Sequence, residues 1–272
     1  MGVLSEHFTL SNGVSIPKLG FGTWQTPNEV ASEVVQGALR SGYTHIDTAR
    51  AYQNEEGVGQ GVRASGLLRE DLFITTKVKA EFKSYEQAKT SIETSLAQLD
   101  LGYIDLLLIH APKPWPEMFK GIDTTYFEEN LAVWTAMEEA YQRGDVRAIG
   151  VSNFSIADIE NITVHAATAP MANQIRLHVG HTQADLVAYC QQHAILVEAY
   201  SPIATGKLLD DPQVAAVATR NGVSVAQLCI RYALQKGCLP LPKAVHPEYI
   251  VSNTQIDFEL SADDMAELDA IG

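Results

Sequence analysis

The 272-residue chain carries 19 Lys and Arg residues against 33 Asp and Glu residues, which gives a formal net charge of −14 with His neutral. This acidity argues against non-specific binding to nucleic acid or to anionic membranes. Three cysteines without a Cys-x-x-Cys pair argue against a disulfide framework or a zinc module, and they favour a reducing cytoplasm. The most apolar run, residues 104–109, is too short to cross a bilayer, and residues 1–13 lack the apolar core of a signal peptide.

The first predicted element is a β-hairpin. Residues 8–10 and 14–16 flank Asn12-Gly13, a dipeptide typical of tight hairpin turns because both residues tolerate positive φ angles. A hairpin cannot join a parallel barrel by a crossover connection, so we expect it to plug one end of the fold.

Eight short apolar runs follow the hairpin, and each is typical of a buried parallel strand. The runs are residues 19–22, 45–48, 72–77, 104–110, 146–152, 171–174, 195–199 and 238–242. Amphipathic segments with N-cap residues and terminal glycines alternate with them. These predicted helices cover residues 27–41, 53–65, 84–99, 126–143, 155–167, 182–193 and 224–236, and a last helix covers residues 261–271.

This alternation predicts parallel βαβ units, and eight units predict one (β/α)8 TIM barrel domain over residues 1–272, with the hairpin plug and an extra C-terminal helix. A doubly wound open sheet is the alternative. Its glycine-rich phosphate loop is missing, because the one matching run, residues 59–64, follows polar residues rather than an apolar strand. We interpret those glycines as points of close helix packing.

Polar side chains end nearly every predicted strand, at the edge where α/β barrels hold their chemistry. Asp47, Lys77 and His110 follow successive strands at intervals of 30 and 33 residues, so we expect them to lie side by side. One interpretation is a structural ion pair, because buried Asp and Lys need partners. The other includes Tyr52: its phenol, with an ordinary pKa of about 10, becomes a better acid beside an ammonium that a carboxylate keeps charged.

Eight short motifs stand at these strand ends in chain order. They are Gly20-Phe21-Gly22-Thr23-Trp24, Asp47 through Tyr52 to Glu55, Ile74-Thr75-Thr76-Lys77, Leu106-Leu107-Leu108-Ile109-His110, Gly150-Val151-Ser152-Asn153-Phe154, Asn173-Gln174, Glu198-Ala199-Tyr200-Ser201-Pro202 and Leu241-Pro242-Lys243. Together they resemble the aldo-keto reductase family over essentially the whole chain. The bacterial 2,5-diketo-D-gluconate reductase-like branch, a group of small-carbonyl reductases, looks most similar.

The resemblance implies reduction of aldehydes and ketones to alcohols with NAD(P)H and without a metal. Tyr52 would donate the proton, Asp47 and Lys77 would tune it, and His110 would orient the substrate. The positions that match the family's cofactor site are Gly22, Thr23, Ser152, Asn153, Gln174, Tyr200, Ser201, Lys243 and Asn253.

Several of these matches imply a specific contact with the cofactor. Ser152, Asn153 and Gln174 match the residues that hydrogen-bond the carboxamide. Tyr200 matches the ring that stacks on the nicotinamide, and Ser201 matches the contacts to the pyrophosphate. Lys243 matches the contact to the adenosine 2′-phosphate.

Two departures from the family pattern concern that 2′-phosphate. Ala244 stands where the family usually has Ser, and Tyr249 stands where it usually has Arg. Arg holds a phosphate bidentately, and losing such a charge-assisted contact costs roughly 1.5–3 kcal/mol. Because Lys243 remains, with His246 near it in sequence, we expect NADPH as the favoured cofactor and NADH as a plausible second one.

The substrate pocket is expected to be lined by Trp24, Tyr52, His110 and Trp115. The family often has Trp after the catalytic His, where this chain has Ala111, so Trp115 either replaces that ring or only anchors its proline-rich loop. Many relatives continue past the last helix with a tail over the site, whereas this sequence stops at residue 272. We therefore expect an open mouth that accepts small aldehydes, α-dicarbonyls and keto sugars.

Two other function classes remain open. Lys77 could act as the Schiff-base nucleophile of an aldolase, although Asp47 beside it would keep the amine protonated. The same scaffold could also be a non-catalytic, nicotinamide-binding regulator, because a fold does not determine a function. In each case a small molecule is the expected partner, and we expect a monomer.

Overall fold

The computed structural model describes residues 2–271. It contains a two-stranded hairpin and a sheet of eight parallel strands surrounded by helices, as the alternation predicts. The strands are β1 (His7–Thr9), β2 (Ser15–Pro17), β3 (Phe21–Gly22), β4 (His45–Asp47), β5 (Phe73–Val78), β6 (Leu106–Ile109), β7 (Ile149–Ser152), β8 (Ala172–Arg176), β9 (Leu196–Tyr200) and β10 (Leu239–Leu241).

The helices enclose the sheet from outside, and they leave most strand residues buried on both faces, which parallel strands require. They are α1 (Asn28–Arg40), α2 (Glu55–Ala64), α3 (Tyr85–Leu99), α4 (Trp115–Lys120), α5 (Phe127–Arg143), α6 (Ile156–His165), α7 (Ala184–Gln192), α8 (Pro212–Arg220), α9 (Val225–Gln235), α10 (Pro247–Ser252) and α11 (Ala262–Asp269). None of the helices within residues 2–271 has the length and apolar character that a membrane crossing needs.

The eight strands pair in sequence order from β3 to β10, and backbone hydrogen bonds bring the first and last strands together. The amide of Gly20 donates to the Pro240 carbonyl at 3.1 Å, and that of Gly22 donates to the Pro242 carbonyl at 2.9 Å. Gly20 is required at this closure because a Cβ there would lie 2.4 Å from the Leu241 side chain. The predicted (β/α)8 barrel is therefore confirmed.

The predicted hairpin is also confirmed, with Asn12-Gly13 in its turn. Gly13 has φ of +85°, and β1 and β2 pair antiparallel. The Asn12 side chain donates to the carbonyl of Arg147 at 2.9 Å, just before β7 begins. The hairpin thus lies at the N-terminal ends of the barrel strands and leaves their C-terminal ends free for chemistry.

The glycines of residues 59–64 are confirmed as packing points rather than a phosphate loop. They lie in α2, and a Cβ on Gly59 would stand 2.0 Å from the Leu99 carbonyl oxygen of α3. A Cβ on Gly61 would stand 2.8 Å from the Ser32 carbonyl oxygen of α1. Small residues let these three helices approach closely and cover the β4–β5 side of the barrel.

Candidate active site

The C-terminal end of the barrel contains a buried ion pair between Asp47, the last residue of β4, and Lys77 of β5. The Lys77 Nζ lies 2.7 Å from each carboxylate oxygen of Asp47 and 2.8 Å from the carbonyl oxygen of Thr48. The three acceptor atoms satisfy an ammonium group that is fully removed from solvent. Sequence patterns cannot predict the role of Thr48, because it depends on a backbone carbonyl, which every residue carries.

Tyr52 and His110 stand next to this pair. Tyr52 ends a short 3-10 turn after β4, and its ring centre lies 5.3 Å from the Lys77 Nζ. The rings of Tyr52 and His110 meet edge to face with centres 5.6 Å apart. The structure therefore brings together all four residues that the sequence pattern assigns to the acid–base site.

The pKa of Tyr52 changes in the direction opposite to the sequence-based expectation. Desolvation raises the pKa well above its usual value of 10, and the charge of Asp47 and the neighbouring Tyr200 raise it further. Lys77 does not reverse this, because its hydrogens already donate to Asp47 and Thr48. The consequence is a phenol that stays protonated through neutral and alkaline pH.

His110 is a neutral imidazole in this site. Desolvation lowers its pKa well below the usual 6.5, and the charge of Lys77 lowers it further. Its Nδ1 atom is buried and has no hydrogen-bond partner among residues 2–271. A neutral imidazole keeps one N–H, which can donate to a carbonyl oxygen placed between His110 and Tyr52.

A second polar group lies beside the first, at the ends of β7 to β9. The Ser152 hydroxyl donates to the Gln174 backbone carbonyl at 2.8 Å, and the Asn153 amide donates to Ser152 Oγ at 3.0 Å. The Tyr200 hydroxyl donates to Asn153 Oδ1 at 2.8 Å. Asn153 and Ser201 have φ of +61° and +54°, a left-handed conformation that costs energy for non-glycine residues and often marks a functional site.

Gln174 joins the two groups. Its Nε2 donates to Asp47 Oδ2 and to Glu198 Oε2, in both cases at 2.9 Å. Glu198 is a fully buried carboxyl group of β9, and sequence reasoning missed it. The signal was present, because this Glu interrupts the otherwise apolar run 195–199.

The last strand and α10 supply the third group, at the rim. Lys243 follows β10 and is half-buried, which lowers its pKa, and no carboxylate of the described chain offsets that shift. Tyr249 is 57% exposed on α10 and meets the His246 ring edge to face at 5.8 Å. Ala244 and Asn253 are both buried. The structure thus brings one unpaired cation and one exposed aromatic ring to the rim.

Gly22 ends β3 next to Lys243 on this rim, because its amide donates to the Pro242 carbonyl, and Thr23 follows it. The Thr23 amide and hydroxyl each donate to the Asp47 carbonyl at 3.0 Å, and the side chain is fully buried. Its hydroxyl therefore anchors the backbone of Asp47.

Aromatic side chains form one wall of the mouth. Trp115, the first residue of α4, meets the His110 ring edge to face at 5.2 Å and stacks on Phe119 at 5.7 Å. Of the two roles open for Trp115, the structure favours a pocket wall, because the indole contacts the imidazole directly. Trp24 is 45% exposed and follows Thr23 at the mouth.

Comparison with known proteins supports the same family and the same fold. The Aldo/keto reductase family model matches residues 18–272. Glyoxal reductase of Bacillus subtilis is 42% identical over 270 residues, which cover 98% of this chain and 93% of that protein. A crystal structure of an aldo/keto reductase from Brucella melitensis superposes with a TM-score of 0.90 at 37% identity and covers 98% of this chain and 99% of that one.

A crystal structure of a Bombyx mori aldo-keto reductase in complex with NADP also matches, with a TM-score of 0.86, 34% identity and coverage of 98% of this chain and 92% of that one. The family model and the relatives span nearly the full chain, and the solved structures share the barrel fold. This protein is therefore an oxidoreductase that belongs to the aldo/keto reductase family.

Proposed function

We propose that the protein reduces small aldehydes, α-dicarbonyls and keto sugars to alcohols with NADPH as its favoured cofactor. The single observation that carries this proposal is the convergence of Tyr52, His110 and the Asp47–Lys77 pair at one mouth of the barrel. The proposal is also supported by a relative named glyoxal reductase and by a family structure that contains NADP.

The donor and acceptor set of the second group fits a nicotinamide carboxamide. Gln174 uses its amide nitrogen on two carboxyl groups, so its side-chain oxygen remains as an acceptor. Ser152 and Asn153 supply a hydroxyl and an amide beside it, and the half-buried Tyr200 supplies an aromatic face. Ser201 would contact the pyrophosphate, and Lys243 with Asn253 would meet the adenosine phosphate. When bound, the reduced dinucleotide supplies the hydride that reaches the carbonyl carbon.

The remaining steps depend on the side chains of Tyr52, His110, Asp47 and Lys77. His110 holds the substrate oxygen by a hydrogen bond and directs it toward the Tyr52 hydroxyl. As negative charge develops on that oxygen, the Tyr52 Oη–H bond breaks and the proton moves to it. The raised pKa of Tyr52 keeps this proton in place beforehand, and transfer stays favourable because an alkoxide is a much stronger base than a phenolate.

The shape of the mouth supports small substrates. Trp115 covers one side of His110, and Trp24 stands exposed at the β3 end. The half-buried Tyr52 lies beside His110 at this mouth, where an aldehyde or α-dicarbonyl would bind. An aldolase role for Lys77 is disfavoured, because its ammonium group donates to three oxygen atoms and has no route to a carbonyl carbon.

The proposed setting is the cytoplasm, which fits three buried cysteines that form no disulfide. Burial raises the pKa of Cys190 to about 11, so this thiol is unreactive at neutral pH.

Replacement of Tyr52 by Phe tests the proposal most directly. Reduction of methylglyoxal and glyoxal is measured by loss of the reduced-nicotinamide absorbance, with NADPH and NADH in parallel. We expect wild-type turnover and a loss in kcat of about a hundredfold to ten-thousandfold in Tyr52→Phe, because one positioned general acid contributes that much. Dissociation constants for NADPH should stay within about twofold of the wild-type value, since Tyr52 contributes to the chemical step more than to cofactor binding.

Tyr85→Phe is the matched control, because the Tyr85 hydroxyl bonds to Glu139 on the outer helices. Its kcat should equal that of the wild type. Turnover of Tyr52→Phe at the wild-type rate would overturn the assignment of the proton donor. Cofactor binding without reduction of any carbonyl in a broad panel would instead support the non-catalytic regulator.

A further inference from the structure

Glu198 is a fully buried carboxyl group that the proposed mechanism does not use. It lies in the middle of β9, in register with Gln174 of β8 and Leu239 of β10. Its Oε2 accepts one hydrogen bond, from Gln174, and its Oε1 has no partner among the described residues. A carboxyl group without a cation of its own is costly to bury, so its presence under the site calls for a reason.

The hydrogen bond from Gln174 connects Glu198 to the ion pair. The same Nε2 atom donates to Glu198 and to Asp47, so the amide of Gln174 is held between two acids. This arrangement fixes the amide nitrogen toward the barrel interior. The side-chain oxygen of Gln174 then faces the position proposed for the carboxamide.

The net effect of the surroundings of Glu198 is to disfavour its ionised form. Desolvation and the charge of Asp47 raise its pKa to about 7, against the opposing effects of Gln174 and Lys77. On the β10 side its neighbour is the apolar Leu239. The other buried titratable group of the β4 strand, His45, has its pKa lowered by burial to about 3 and stays neutral.

We propose that Glu198 is a positioning residue of the nicotinamide site, which orients Gln174 and sets the relative affinity of the site for oxidised and reduced dinucleotide. The inference rests on the proposed function. The oxidised nicotinamide ring carries a positive charge and the reduced ring is neutral. A negative charge on Glu198 therefore favours the oxidised form, and neutral Glu198 does not.

The test is the ratio of dissociation constants for NADPH and NADP⁺, measured by calorimetry between pH 6 and pH 8.5. The two ligands share the 2′-phosphate and the pyrophosphate, so titration of those groups and of His246 cancels in the ratio. We expect the ratio Kd(NADPH)/Kd(NADP⁺) of the wild type to rise about five- to tenfold with pH, the effect of one unit charge acting over roughly 10 Å. The rise should centre near pH 7.

In Glu198→Gln the ratio should be independent of pH and should equal the low-pH value of the wild type. Glu198→Met has a similar volume but no ionisable group, so its ratio should also be independent of pH. It replaces Glu198→Gln in the test if that variant does not fold. Glu138→Gln is the matched control: this carboxyl group accepts from the Thr168 amide outside the barrel, so the wild-type rise should persist.

A flat ratio in the wild type would overturn the inference, and so would an unchanged rise in Glu198→Gln. These results are separate from the test of the proposed function, because the measurement needs no turnover. If both dinucleotides bind with the expected ratio and no carbonyl is reduced, the role of Glu198 stands and the proposed reduction fails. If neither dinucleotide binds, both fail.

Discussion

Two fully buried carboxyl groups differ in how completely they are paired: one lies at the hairpin end of the barrel, and the other lies within β9. Asp105, just before β6, accepts hydrogen bonds from the Ile74 amide at 2.9 Å, from Arg69 at 2.6 Å and from Arg147 at 2.7 Å. Glu198, toward the mouth, accepts one bond from an amide that Asp47 shares, and one of its oxygens has no partner within residues 2–271.

This difference separates stability from chemistry. At the hairpin end both arginines near Asp105 are paired with it, and the Arg69 guanidinium also stacks on Tyr103 at 3.9 Å, although its Nε atom has no hydrogen-bond partner among the described residues. At the mouth the structure tolerates a raised pKa in Glu198, an unpartnered His110 Nδ1 and a left-handed Asn153. Near the mouth, polar groups that lack hydrogen-bond partners within the protein can bind a ligand or exchange a proton.

The largest effect is expected from Asp105→Ala. The change leaves two arginines and the Ile74 amide without their common acceptor, and breaking a buried ion pair in this way costs about 3–5 kcal/mol. The free energy of unfolding, measured in urea, should fall by that amount. Since Asp105 lies far from the mouth along β6, kcat/KM of the folded variant should stay within about threefold of the wild type. A loss of activity without a loss of stability would contradict the separation of the two ends.

The opposite sign is expected for Glu198→Met. Burial raises the pKa of Glu198 from 4.5 to about 7 in the folded protein, so the folded state binds an extra proton between these values. The contribution of Glu198 to the free energy of unfolding is therefore fully present below pH 4.5. It is lost as the pH rises through about 7, and the total loss is roughly 3 kcal/mol.

Glu198→Met removes that loss, so its stability relative to the wild type should rise between pH 5 and pH 8. Urea titrations at both values measure the change. A difference between variant and wild type that does not vary with pH would show that Glu198 does not titrate in this range. Glu138→Gln on α5 again provides the control, with no such rise.

Much of the fold could be predicted from the sequence because its signals are local. Alternating apolar runs predict the barrel strands. Amphipathic segments with N-cap residues predict most helices; Ser224 and Gln227, for example, form a complete capping box. The sequence does not predict α4, α8 and α10; α4 and α10 have only six residues each, which give little periodicity. Thr26-Pro27-Asn28-Glu29 also has the pattern of a capping box, and that prediction is wrong: α1 begins after Pro27, and the Thr26 hydroxyl has no partner in the described chain.

The site could be predicted only as a set of residues at strand ends. Asp47 and Gln174 are 127 residues apart in the sequence. The hydrogen bond between them depends on the closure of the barrel. The direction of the Tyr52 pKa shift was mispredicted, because sequence spacing shows that Lys77 is near but not that its hydrogens already have acceptors. Desolvation and hydrogen-bond saturation are properties of the packed structure, and no local pattern reports them.

The smallest effect, and the one that sharpens the comparison at the rim, is expected from Tyr249→Arg. Lys243 is a cation without a carboxylate partner in the described structure, whereas the arginines at the hairpin end are paired. We therefore expect an anionic ligand to bind at the rim. A second cation on α10 adds a charge-assisted bond to a 2′-phosphate, which NADPH carries and NADH lacks. The preference for NADPH over NADH in kcat/KM should therefore rise about tenfold to a hundredfold.

Val251→Arg is the control for Tyr249→Arg, because Val251 is 46% exposed on the same helix and receives the same charge. Its gain should be much smaller and should disappear at high ionic strength, as expected for a screened long-range field. Equal gains in the two variants would mean that net charge rather than position governs the preference. A gain confined to Tyr249→Arg would identify this rim position as the one that decides how firmly the 2′-phosphate is held.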